Sequence, residues 1–131
     1  MKKVLIIVFA IFAVNFSASA QSVQKQNGKA VASYYHSKFN GRKTATGDTY
    51  WDHLKTAASN VYKLGTQLLV TNLSTGKSVK VVVNDRMATH IKGRVDLSRS
   101  AFEKIASVGH GIVPVRVEVL NGKNTSAAGV L

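Results

Sequence analysis

The chain has 131 residues, with 18 Lys and Arg against 6 Asp and Glu, a formal net charge of +12, and no cysteine. The absence of thiols excludes a disulfide-stapled scaffold, and the length allows one compact domain rather than two. The charge favours an anionic partner, whether nucleic acid, a phospholipid surface or an acidic wall polymer, but Lys and Arg are scattered and form no block.

Residues 1–20 read as a secretory signal peptide: Lys2 and Lys3, then the apolar run Val4 to Val14, then Ala18-Ser19-Ala20 as a small-x-small cleavage pattern. The apolar run falls short of the roughly 20 residues a membrane span requires, so no stable membrane insertion is expected after cleavage. Export argues against nucleic acid as the natural partner, and the product is expected in the periplasm or outside the cell. No cysteine near the cleavage site is available to carry a lipid.

Residues 21–27 are polar and read as a flexible leader, and residues 28–120 as the folded domain. Lys29 to Tyr35 has strand composition. "TQLLVTNL", "STGK" and "SVKVVV" then read as a hairpin turning near Gly76. One helix is expected over "SAFEKIAS", capped by Ser98 or Ser100, with Ser100 and Glu103 at capping-box spacing. Its buried face would carry Ala101, Ile105 and Val108. Val113, Val115, Val117 and Val119 alternate with other residues after Pro114 opens the segment, the pattern of a half-buried strand. Short strands with one helix suggest a small closed barrel. The tail, residues 121–131, has little to anchor it and is expected to be mobile.

The strand "SVKVVVNDR" (Ser78 to Arg86) runs an apolar segment into an acid. If Val79, Val81 and Val83 face inward, the two-residue period puts Asp85 on the same side, partly desolvated and suited to general acid–base work. The alternative is a turn acid paired with Arg86 or Arg94, or one accepting backbone N–H groups. The histidines (His36, His53, His90, His110) share no metal-like spacing, and no cofactor signature is present.

In order along the chain come "ASYY", "FNGRKTATGDTY", "KTAAS", "LGT", "VTNLSTGKSVKVVVNDR", "RVDLS" and "VRVEVL". With this series the chain resembles the rare lipoprotein A family. The resemblance implies a mainly β fold, a six-stranded double-psi β-barrel with one or two short helices. It also implies a lytic transglycosylase that cleaves peptidoglycan glycan strands lacking stem peptides, leaving an anhydro end on the muramyl sugar. In that chemistry one carboxyl protonates the glycosidic oxygen and then, as a base, helps the sugar's own C6 hydroxyl attack.

The family's acids fall on Asp85 and on Asp48, where a glutamate is usual. The substitution shortens the reach by one carbon–carbon bond, about 1.5 Å. Ser59 stands where the family usually has histidine, and it cannot titrate near neutral pH. His36 replaces a common glycine and Asn40 a common histidine. Met87-Ala88 replaces Gly-Pro, so the loop after Asp85 is expected to be less fixed in shape.

Arg86 is a candidate for the lactyl carboxylate of a muramyl sugar, or an ion-pair partner of Asp85 or Asp96. Tyr34, Tyr50, Thr44 and Ser59 are further candidate substrate contacts. Tyr34 and Tyr35 must point opposite ways, so at most one enters a cleft. Asp96 in "RVDLS" reads as an organiser of the turn into the helix. The leading expectation is a monomeric lytic transglycosylase, with a non-catalytic, expansin-like binder of wall glycan as the second reading. A charge-driven polyanion binder is the third, distinguished by salt-sensitive binding.

Overall fold

The computed structural model describes residues 28–120. The expected signal peptide, leader and tail lie outside them. Six strands close a barrel in the order β1-β5-β2-β4-β3-β6: β1 (Gly28–Tyr34), β2 (Thr56–Ala58), β3 (Gln67–Asn72), β4 (Ser78–Asp85), β5 (Arg94–Leu97) and β6 (Val113–Val119). β1 pairs with β5, and β2 with β4, in parallel; the other neighbours are antiparallel. Among the described residues a single α-helix, α1 (Arg99–Ile105), follows β5, and short 3-10 turns occupy Ser37–Phe39 and Val108–His110.

The expected hairpin is β3–β4. Gly76 supplies the left-handed conformation its turn needs (φ +73°), and Asn72 N–H closes it onto Lys77 O at 2.8 Å. Asn72 does more than close the turn. Its buried amide donates to Ile105 O at 2.7 Å, satisfying a carbonyl at the end of α1 that the helix leaves unpaired. The expected alternation of β6 is present: Val113, Val115 and Val117 are buried, while Pro114 and Arg116 are exposed.

The helix differs from expectation at its start. Ser98 is the N-cap residue, but its hydroxyl makes no capping bond; it donates to Leu54 O and accepts from Thr56 N. Ser100 lies within the helix and donates to Leu54 O at 3.2 Å while accepting from Lys55 Nζ at 2.8 Å. The two serines therefore tie α1 to the segment entering β2, and no capping box forms. The buried face of α1 is Ala101, Phe102 and Ile105.

The core inside the barrel gathers Leu68, Val70, Val79, Val81, Val83, Val95, Leu97, Val115 and Val117 with Phe102 and Ile105 of the helix. Each such side chain contributes roughly 1.5–3 kcal/mol on burial. A second, smaller cluster lies on the outer face: Tyr35, Tyr50 and Ala58, with Phe39 and Met87 against them. Ala57 belongs to the inner cluster and Ala58 to the outer one, as alternation along β2 requires.

Candidate active site

The two-residue period that would carry Asp85 inward fails at one position. Val83 pairs with Ala57, but the next residue of β2, Ala58, pairs with Asp85. Asn84 is the extra residue of a β-bulge, which shifts everything after it to the other face. Asp85 thus leaves the valine face and joins Ala58 on the outer face. The parity argument for an inward acid is corrected accordingly.

The same row continues across the sheet. Ala58 pairs with Asp96 on its other side, and Asp96 with Ser33 of β1. Val95 and Leu97 enter the core, so Asp96 between them faces outward. Two aspartates therefore flank an alanine on adjacent strands. At two strand spacings their Cα atoms are roughly 9–10 Å apart, and the Ala58 methyl between them is covered by the outer cluster of Tyr35 and Tyr50.

The Asp85 carboxylate is an acceptor for three donors: Tyr35 Oη at 2.7 Å, Ala45 N at 2.9 Å and its neighbour Arg86 N at 2.9 Å. Tyr35 is 7 % exposed and stacks on Tyr50 with centroids 4.2 Å apart and planes 11° from parallel. Burial, together with the hydrogen bond to Asp85, pushes the Tyr35 phenol far above its ordinary range, so it remains a proton donor to that carboxylate. Asp96 accepts from Ser33 Oγ at 3.1 Å. Burial raises its pKa, opposed by the Ser33 bond and the Arg94 charge and reinforced by the charge of Asp85. The pair thus includes one carboxyl whose surroundings favour holding a proton.

Several sequence candidates lie elsewhere. Tyr34 points to the other side of β1, where its ring sits 4.8 Å from that of Phe102 and its hydroxyl donates to Val108 O. Strand alternation gives the outer position to Tyr35 instead. Tyr50 is only 2 % exposed; its hydroxyl donates to Asp52 Oδ1 at 2.8 Å, and burial plus that bond push its pKa upward. It supports Tyr35 rather than offering a face to sugar.

Asp48 is exposed and folds back on its own loop, accepting from Thr46 Oγ1 at 2.9 Å. Thr44 is buried, with its hydroxyl 3.1 Å from that of Thr46, and its N–H donates to Asp48 O at 2.8 Å. The loop reaches the site through the Ala45 N–H and not through the Asp48 carboxylate.

Ser59 is fully buried and forms a local turn, its hydroxyl accepting from Val61 N at 3.1 Å and Tyr62 N at 3.4 Å. Arg86 pairs with neither Asp85 nor Asp96. Its Nη1 donates to Ser59 O at 2.5 Å and Tyr62 O at 2.6 Å. Asn60 adds bonds to Ala88 O, Ile91 O and Met87 N. The loop after Asp85, expected to be loose without Gly-Pro, is held by these contacts. His36 caps the Ser37–Phe39 turn through Lys38 N, and Asn40 holds Asp52.

Comparison with known proteins agrees with this architecture. A family model described as lytic transglycolase matches residues 27–117. The endolytic peptidoglycan transglycosylase RlpA of Pasteurella multocida is 44 % identical over 108 residues, covering 79 % of this chain and 36 % of that protein. Its counterpart in Haemophilus influenzae is 42 % identical over 102 residues, covering 77 % and 36 %. The chain spans about a third of the length of these curated relatives.

Among solved structures, an expansin of Clavibacter michiganensis in complex with cellohexaose superposes with a TM-score of 0.60 at 20 % identity, covering 76 % of this chain and 53 % of that one. A Streptomyces papain inhibitor gives 0.59 at 22 %, covering 76 % and 96 %. At such identities the structural likeness is one of fold.

Proposed function

The chain belongs to the lytic transglycolase family, and from that premise we propose that it cleaves peptidoglycan glycan strands through the carboxyl pair Asp85 and Asp96. The observation that carries the reading is the register row Asp96–Ala58–Asp85, with three donors fixing one carboxylate and burial raising the pKa of the other. In this reading Asp96 delivers its proton to the glycosidic oxygen as the bond breaks. Asp85, held by Tyr35 and two backbone N–H groups, faces the positive charge that develops on the sugar. The ionised Asp96 then accepts the proton of the sugar's C6 hydroxyl as that oxygen closes onto the anomeric carbon, which regenerates the acid.

The setting we propose is the cell envelope. Lys2, Lys3, the apolar run and Ala18-Ser19-Ala20 support export, and N-terminal sequencing of the exported protein checks the cleavage before Gln21. The activity is tested by incubating the protein with amidase-treated sacculi and seeking anhydro-muramyl products by mass spectrometry. A second reading, a binder of wall glycan that does not cut it, draws on the Asp48 carboxylate taking its hydrogen bond from its own loop. Sedimentation with sacculi in the absence of any anhydro product would establish that reading and reject cleavage.

A further inference from the structure

The 42–50 loop, whose Ala45 N–H holds Asp85, runs directly into the chain's single tryptophan, Trp51. Tyr50 turns inward onto Tyr35, but the Trp51 side chain beside it is 43 % exposed. Apolar residues exposed one at a time are ordinary on a protein surface. Trp51 differs because it belongs to a built surface. The exposed His53 ring lies 6.4 Å from the indole, with planes 25° apart. The indole edge rests against bare backbone at Gly41, where a side-chain carbon would stand 3.8 Å from Trp51 Cη2. The positive φ of Gly41 (+85°) favours glycine at that point.

The segment that mounts both rings is tied down. Asp52, between them, accepts from Tyr50 Oη and Asn40 Nδ2 through its carboxylate and donates its N–H to Asn40 Oδ1, each at 2.8 Å. Its carbonyl accepts from Ser100 N at 2.9 Å, Leu54 N closes a turn onto Trp51 O at 3.2 Å, and Gly41 N donates to Tyr50 O at 2.9 Å. A mount held in this way loses little freedom when a ligand settles on the rings, which favours binding.

Resting on the glycan-cleaving reading above, we propose that Trp51 and His53 form a sugar-binding platform that holds the glycan strand away from the point of cleavage. The occupant is one N-acetylhexosamine ring lying on the indole by its apolar C–H face, a surface suited to aromatic packing. Two side chains offer far less than the roughly 800 Å² per partner of a stable protein interface, but they match one pyranose ring. Neither ring is among the hydrogen-bond partners of Asp85 or Asp96. From Ala45 to Gly41 runs at most roughly 13 Å of extended chain. The platform is thus near the carboxyl pair but separate from it, and a strand longer than the reacting disaccharide is needed to reach both.

With one tryptophan in the chain, intrinsic fluorescence reports on Trp51 alone. Soluble glycan strands from amidase-treated sacculi are fractionated by length, and emission is read on mixing, before products accumulate. Long strands should shift the emission to shorter wavelength in a saturable way and bind about tenfold more tightly than a disaccharide. Affinities of variants are measured by surface plasmon resonance over immobilised protein, where flow keeps uncut strands supplied. Trp51→Ala should lose the tenfold advantage and leave the disaccharide unchanged, Trp51→Phe should keep most of it, and His53→Ala should lose about threefold. Leu64→Ala, which removes an exposed apolar side chain from the loop before β3, should change neither affinity. An unshifted emission at saturation with long strands would overturn the platform, and that measurement needs no variant to fold. Full affinity for long strands in Trp51→Ala, or an equal loss for strands and disaccharide, would overturn it as well. Anhydro products are followed separately by mass spectrometry. Products without an emission shift reject the platform alone, whereas an emission shift without products rejects the cleavage reading and leaves the platform.

Discussion

Asp85 and Asp48 are the two acids that the family resemblance pairs, yet they stand on supports of different kinds. Asp85 ends a strand whose register is set on both sides, by β2 and by β3, and its carboxylate is fixed by groups from the residue after β4, from the residue after β1 and from the 42–50 loop. Asp48 sits on that loop, and its carboxylate closes onto a threonine two residues away. An acid on a strand is aimed by the whole barrel. An acid on a turn is aimed by its neighbours, and here they turn it inward on the loop. The partner that the barrel aims at Asp85 is Asp96, one strand beyond Ala58.

The contrast can be broken most forcefully at Asp85. Asp85→Asn is expected to lower anhydro-product formation by about 10²- to 10³-fold, the range typical of a preorganised group that stabilises developing charge, while sedimentation with sacculi persists. A smaller effect is expected from Tyr35→Phe, which keeps the stack on Tyr50 but removes one of three donors to Asp85. About tenfold in rate corresponds to roughly 1.4 kcal/mol, close to the lower end of the range for a hydrogen bond to a charged group. Loss in Tyr35→Phe comparable to Asp85→Asn would mean the phenol does more than hold the carboxylate.

The raised pKa of Asp96 has a consequence for stability with a definite sign. In the unfolded chain its carboxyl ionises around the ordinary value of 3.8, and in the folded chain only at higher pH. Between these values the folded state binds more protons, so stability is greatest below the ordinary value and declines as pH rises through the folded one. Asp96→Asn should remove this decline. Thermal unfolding of the two proteins from pH 4 to 7 measures it, and parallel curves would contradict the burial of a protonated carboxyl. The smallest effect is expected from Tyr34→Phe, which loses only the bond to Val108 O: about 0.5–1.5 kcal/mol in stability, with cleavage unchanged.

Much of the barrel could be read from its sequence because its elements obey simple periods. The alternation over Val113 to Val119, the β3–β4 turn at Gly76 and the helix after "RVDLS" all appear as expected. The site was harder for reasons that are equally local. A bulge adds one residue, Asn84, and no hydrophobic pattern announces it, since Val81, Val82, Val83 and Asn84 are all buried. That single insertion carries Asp85 from the inner face to the outer. Alternation separated Tyr34 from Tyr35 but could not say which faces the carboxylates. Asp96 looked like a turn organiser because its partners, Ser33 and the row through Ala58, are long-range in sequence and exist only once the parallel strands are paired.

The central claim is that cleavage belongs to the strand-borne pair and not to the loop acid. It is tested most directly by measuring the initial rate of anhydro-muramyl release from amidase-treated sacculi for Asp96→Asn and Asp48→Asn side by side. The account predicts that Asp96→Asn falls at least about a hundredfold while Asp48→Asn stays within about tenfold of the unmutated protein. A collapse in Asp48→Asn with Asp96→Asn near full rate would contradict it.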